Sequence, residues 1–189
     1  METMRDRSLS YEEETPLFQA GWHLHLIEAL NTALLKTEQL SLIWDDIDFH
    51  KGLIQGKRSK SGKSRYVPMR PIVIETLKSI PQMIDNPFVF YGRKRGERLK
   101  DVSKEWESWL AKAGIKDFRW HDLRHTFAIR LISSGVPLYA VQAFLGHSSI
   151  SVTERYSQLA PEYLQQAINA PEIPAQVPSE LPLGKSSVA

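Results

Sequence analysis

Cysteine is absent from this 189-residue chain. Disulfides and thiolate metal sites are thereby excluded, which fits a reducing compartment. Long apolar runs are also missing. No stretch approaches the ~18–20 apolar residues needed to cross a membrane. Met1-Glu2-Thr3-Met4-Arg5 leads into no apolar segment of the signal-peptide kind. The cytoplasm is therefore the expected location. Net charge is low as well, only +2, so the total says little about partners.

The distribution of charge says more. Residues 1–50 carry 3 Lys+Arg against 10 Asp+Glu, whereas residues 51–100 carry 13 against 3. A solvated basic face is the bland explanation. A basic block this dense inside a folded region also suits a polyanion partner. With 42% hydrophobic residues, the chain can build one core of ordinary domain size.

The residue pattern predicts an α+β domain, mostly helical with a small antiparallel sheet. Residues 1–15 are polar and acidic and read as a linker or frayed start. Leu24, Ile27, Leu30, Leu34 and Leu35 recur at helical spacing, predicting helices over about 16–35 and 37–43. The period then changes. Phe49, Leu53, Ile54, Tyr66 and Val67 flank polar turns, predicting a sheet over 47–68 with a hairpin tip at Lys60-Ser61-Gly62-Lys63. Pro71 suits the first turn of a helix. Further helices are expected around Trp106 to Gly114, from His121 to Gly135, over Pro137–Leu145, and through Tyr156. Residues 16–169 form the expected domain. Residues 170–189, with Pro171, Pro174, Pro178 and Pro182, read as a disordered tail.

The chemistry concentrates between residues 121 and 156. His121 and Arg124 are three apart and share a helix face, while Leu123, Phe127 and Leu131 form a buried stripe elsewhere. An Arg fork can hold two phosphate oxygens, and His121 and His147 can donate hydrogen bonds or exchange protons. Tyr156 is the candidate nucleophile. Its ordinary pKa of about 10 requires cationic neighbours to activate it. Lys60, at a hairpin tip, could protonate the leaving oxygen. Each residue taken singly has a structural explanation: a histidine at a helix start caps it, and a tyrosine in a late helix packs. His125 is assigned such a structural role. A zinc site on His121, His125 and His147 is disfavoured, since Asp122-Leu123-Arg124 offers no glutamate base and puts a cation beside the metal. No metal and no cofactor are expected.

The ordered set His121-x-x-Arg124, Leu145-Gly146-His147 and Tyr156 resembles the catalytic core of the tyrosine recombinases, the phage integrase family. Trp44-Asp45-Asp46-Ile47-Asp48 resembles the segment entering that family's small sheet. Ser59-Lys60-Ser61-Gly62-Lys63 with Arg65-Tyr66-Val67-Pro68 resembles its hairpin, Lys60 taking the catalytic lysine's place. The resemblance spans about residues 20–165. It implies site-specific recombination or integration through a covalent 3′-phosphotyrosine at Tyr156, with Arg124, His121, His147 and Lys60 as catalytic partners. Arg58, Lys63 and Arg65 are expected to contact phosphates. It also implies double-stranded DNA as the partner, with tetramers on it that exchange the segment Leu159 to Ile168, whereas the chain alone, lacking heptads or a large apolar stripe, should be monomeric.

One departure bears on activity. The family's first box reads Thr-Gly-Leu-Arg, with Glu three residues after the Arg. Counting back from Trp44 without gaps aligns it with Thr32-Ala33-Leu34-Leu35-Lys36-Thr37-Glu38, so Leu35 stands at the arginine. Lys36, one residue on, would be turned ~100° away on a continuous helix. A non-cleaving DNA-binding relative is the alternative this departure implies. The family also carries an N-terminal helical domain that closes around DNA, and the resemblance here starts close to the chain's first residues.

Overall fold

Ser10 begins the ordered helices by closing a reciprocal cap. Its Oγ accepts from the Glu13 amide at 3.3 Å, and the Glu13 carboxylate accepts from the Ser10 amide at 3.2 Å. This starts α1 (Tyr11–Ala20), whose first turn carries Glu12, Glu13 and Glu14 at the positive end of the helix dipole. The computed structural model describes residues 7–21, 23–56, 65–147 and 149–154. The expected linker over 1–15 is therefore corrected for residues 7–15. The acidity that suggested a frayed start is helix-capping charge. The segment is docked as well: Leu9 is buried, its amide donates to Thr126 Oγ1 at 2.8 Å, and Glu14 pairs with Arg130.

The single helix expected over 16–35 is two, α1 and α2 (His23–Thr32), broken at Gly21. A side chain at 21 would meet the Trp109 ring at 2.9 Å. Helix α3 (Lys36–Gln39) is a single turn, shorter than the expected 37–43, and a 3-10 turn over Trp44–Asp46 leads into the sheet. Strands β1 (Ile47–Asp48), β2 (Leu53–Gly56) and β3 (Arg65–Pro68) pair antiparallel in sequence order. Ile47, Ile54 and Val67 align across the three strands and are all buried, so one face of the sheet is core. Helix α4 (Pro71–Lys78) covers that face through Val73 and Leu77.

Helices α5 (Ser103–Ala113), α6 (Trp120–Ser133), α7 (Leu138–Leu145) and α8 (Ile150–Glu154) follow. Gly114 and Gly146 adopt the left-handed conformation at the ends of α5 and α7. Three apolar clusters result. Trp106 meets Trp109 and Trp120 edge-on, joining α5 to α1, α2 and the start of α6. The sheet and α4 form the second cluster. Phe127, Ile132, Val141 and Leu145 pack α6 on α7, with Ala33 among them.

Helix α2 also buries His25, Glu28 and Thr32, beside the buried Gln39 of α3. Burial pushes the Glu28 carboxyl up to about 8 and the His25 imidazole down to about 4. Their effects on stability have opposite signs. A carboxyl with a raised folded-state pKa binds protons preferentially in the native state, so stability falls as pH rises toward 8. A histidine with a depressed value does the reverse, and its effect is complete above about 6.5. Between pH 6.5 and 8 it is Glu28, not His25, that acts. The melting temperature should fall across that window, and Glu28→Gln should flatten the decline; an unchanged slope in the variant would assign it to other groups.

Candidate active site

Asp122 sets the start of α6 by accepting from the Arg119 backbone amide at 2.7 Å. His121 then lies in the first turn and is exposed. Arg124, one turn later, is only 6% exposed. The two share a helix face apart from the Leu123 stripe, yet the structure sinks the Arg124 side chain into the protein. Its Nη1 donates to the Ala33 carbonyl and its Nη2 to the Leu145 carbonyl. One guanidinium thus joins the end of α2 to the end of α7. The expected buried stripe of Leu123, Phe127 and Leu131 is present. His125 is half-buried and meets the His121 ring edge-on, with centroids 4.7 Å apart.

Ala33 is buried and holds a left-handed φ of 55°, a conformation that costs a residue with a Cβ roughly 1–2 kcal/mol. The Arg124 bond to its carbonyl helps hold it there. The chain then extends through Leu35 (φ −67°, ψ 151°) before α3 begins. Glu38 closes this turn, accepting from the Leu35 amide at 2.8 Å. Its carboxylate also takes a bidentate grip from Arg65, at 2.8 and 2.7 Å. Arg65, expected to contact phosphate, therefore has both terminal nitrogens on Glu38. Its side chain lies over Gly146, where a Cβ would come within 2.9 Å of Arg65 Cδ.

His147 follows that turn. Its Nδ1 pairs with Thr153 Oγ1 at 2.9 Å, and Gln142 Nε2 donates to its carbonyl at 3.1 Å. Thr153 is completely buried, so α8 fixes the imidazole. Beside α6 a pocket of about 240 Å³ is lined by Lys36, Arg119, His121 and Arg124 above an apolar floor that includes Leu34 and Leu123. Lys36 was expected to point elsewhere, by rotation along a continuous helix. Leu35 is extended instead, so that rotation does not apply, and Lys36 lines the pocket. Its ammonium donates to Asp101 Oδ1 and, at 2.8 Å, to Ser103 Oγ. Lys36 in turn holds the Asp101 carboxyl down at about 2.

Tyr156, Lys60, Arg58 and Lys63 lie outside the described residues. Among the described residues, no three metal-ligating side chains gather. Sequence reasoning missed Asp101, Thr153 and the Glu38–Arg65 pair. Only Glu38 had left a signal, through its spacing from Trp44.

Two glycine exchanges test this framework. Ala33→Gly relieves the left-handed strain but removes a buried methyl and loosens the unfolded chain, so it should change stability by less than about 1 kcal/mol. Gly146→Ala meets both a left-handed backbone and the Arg65 side chain, and should cost about 1–3 kcal/mol. Chemical denaturation of the two variants measures both.

The model of the phage integrase family matches residues 18–162. The chain is 33% identical over 143 residues to tyrosine recombinase XerA of Pyrococcus furiosus, covering 72% of this chain and 50% of that protein. It is 32% identical over 154 residues to the integrase of Salmonella phage P22, covering 73% of this chain and 39% of that protein. The chain thus spans half or less of these relatives. Among solved structures, XerA recombinase superposes with a TM-score of 0.71 at 24% identity, over 89% of this chain and 64% of that one. The catalytic domain of bacteriophage HP1 integrase gives 0.68 at 24% identity, over 92% of this chain and 98% of that one. At those identities the superpositions speak for the fold. The family match, extending over the described segments from α1 to α8, settles descent: the chain belongs to the phage integrase family and holds a tyrosine recombinase catalytic domain.

Proposed function

We propose that this domain cleaves and rejoins duplex DNA at specific sites through a 3′-phosphotyrosine on Tyr156. The observation that carries this reading is the buried Arg124, which draws the ends of α2 and α7 together beside a pocket lined with cationic side chains. In the proposed reaction the Tyr156 hydroxyl passes its proton to one of the two histidines, His121 or His147, its oxygen bonds to phosphorus, and the bond to the 5′ oxygen breaks. Lys60 gives that oxygen its proton. The backbone's bond energy is kept in the phosphotyrosine ester, so attack by another 5′ hydroxyl reverses the step without metal or nucleotide. Arg124, His121 and His147 face the charge that develops on the phosphate oxygens.

The basic block supports binding to the DNA backbone. Arg93, Lys94, Arg95 and Lys100 are exposed on or beside a turn closed by the Gly92–Glu97 backbone bond. Together with Arg58 and Lys63 they would contact phosphates rather than bases. A monomer in the cytoplasm, assembling as a tetramer on DNA and exchanging Leu159 to Ile168 between neighbours, completes the proposal. Related solved structures include DNA complexes of the Tn1549 transposon integrase and of the XerH recombinase.

A nicked suicide duplex carrying the recombination site of the encoding replicon tests the chemistry. The chain should form a covalent adduct resolvable on denaturing gels. Tyr156→Phe should abolish it while DNA affinity stays nearly unchanged, and Arg124→Ala should lower its rate by about 10²–10³ or more. An adduct that persists in Tyr156→Phe rejects this nucleophile. Binding should also weaken steeply with salt, each neutralised phosphate contributing a slope of roughly −0.9 in log K against log salt. A salt-insensitive affinity would contradict backbone binding.

A further inference from the structure

The cationic pocket owes part of its charge to a side chain that no motif names. Its wall runs from Leu34 to Lys36 and omits Leu35, the residue at the position of the missing arginine. The extended backbone at Leu35 leaves that side chain 38% exposed. Lys36 lines the pocket alongside Arg119, His121 and Arg124.

An ammonium has three N–H donors. For Lys36, two meet Asp101 Oδ1 and Ser103 Oγ. Ser103 Oγ itself donates to Asp101 Oδ1 at 2.8 Å, closing a triangle. Lysine is ordinarily a flexible point charge and a poor fixed donor. The two anchors remove that freedom and leave one N–H for a ligand. Arg119 also lines the pocket, but it is exposed and its guanidinium has no hydrogen-bond partner among the described residues. Stabilising developing charge requires donors already held in place, which favours Lys36.

We propose that Lys36 supplies the cationic donor that Leu35 cannot, giving its third N–H to a non-bridging phosphate oxygen while Asp101 and Ser103 hold it at the pocket wall. The inference rests on the phosphate reading of this site. Lys36 offers one N–H where an arginine fork offers two, so the substitution is functional but weaker.

Inorganic phosphate titrated into the full chain, followed on the histidine ring C–H signals by NMR, tests the assignment. Lys36→Met should raise the phosphate Kd about tenfold, the loss expected for one charge-assisted hydrogen bond. Lys36→Arg should restore most of the affinity. Lys112→Met, which removes the same charge at the exposed far end of α5, should leave Kd unchanged. Thermal melting of each variant checks the fold. Phosphate binding in Lys36→Met equal to that of the parent chain overturns the proposal, as does an equal loss in Lys112→Met. Adduct formation on the suicide duplex is scored separately. Weakened phosphate binding in Lys36→Met with no adduct from any variant supports Lys36 and rejects strand cleavage. An adduct from the parent chain with unchanged phosphate binding in Lys36→Met does the reverse.

Discussion

A buried guanidinium organises this domain. Arg124 is held by the carbonyls of Ala33 and Leu145, residues far apart in the chain. Burying a charge is costly unless it is hydrogen-bonded, so the fold is committed to keeping both carbonyls in place. That commitment draws the strained turn after α2 toward the glycine turn after α7. His147 follows the second turn, and Lys36 follows the first by three residues. The site is thus assembled by the same contacts that satisfy the arginine.

A second junction reinforces the first. Glu38 closes the turn at Leu35 and grips Arg65 through two parallel bonds, in a setting where both side chains are only 13–14% exposed. Bidentate geometry and partial burial make such a pair more than a surface contact. Because Arg65 begins β3, the pair ties the base of the β2–β3 hairpin to α3, and Gly146 gives it room by lacking a Cβ. Three sequence boxes are therefore mechanically linked before any ligand arrives. Fixed polar groups of this kind spare an active site the cost of reorganising as charge develops.

Much of the fold was legible in the residue pattern. The change of period near residue 47, Pro71 at a helix start, and Gly114 and Gly146 at helix ends all act through local geometry, which sequence encodes directly. The linker reading of residues 7–15 failed because its acidic residues serve a helix terminus. The long helix across residue 21 failed because Gly21, a poor residue for a helix interior, is extended and ends α1.

What the sequence determined by itself is the inventory and the order: His121, Arg124, His147 and Tyr156 at their spacings, a leucine at 35, and a basic middle segment. Motif spacing carries family descent because it survives as a linear pattern. What only tertiary structure decided is which groups those side chains face. Arg124 and Arg65 both looked like phosphate contacts; distant residues supply their protein partners, two carbonyls for Arg124, which also lines the pocket, and Glu38 for Arg65. Lys36 looked turned away under a helical rotation, yet an extended Leu35 brings it to the pocket, where Asp101 and Ser103 hold it. A backbone dihedral and contacts across more than sixty residues made that difference, and neither is written in local sequence.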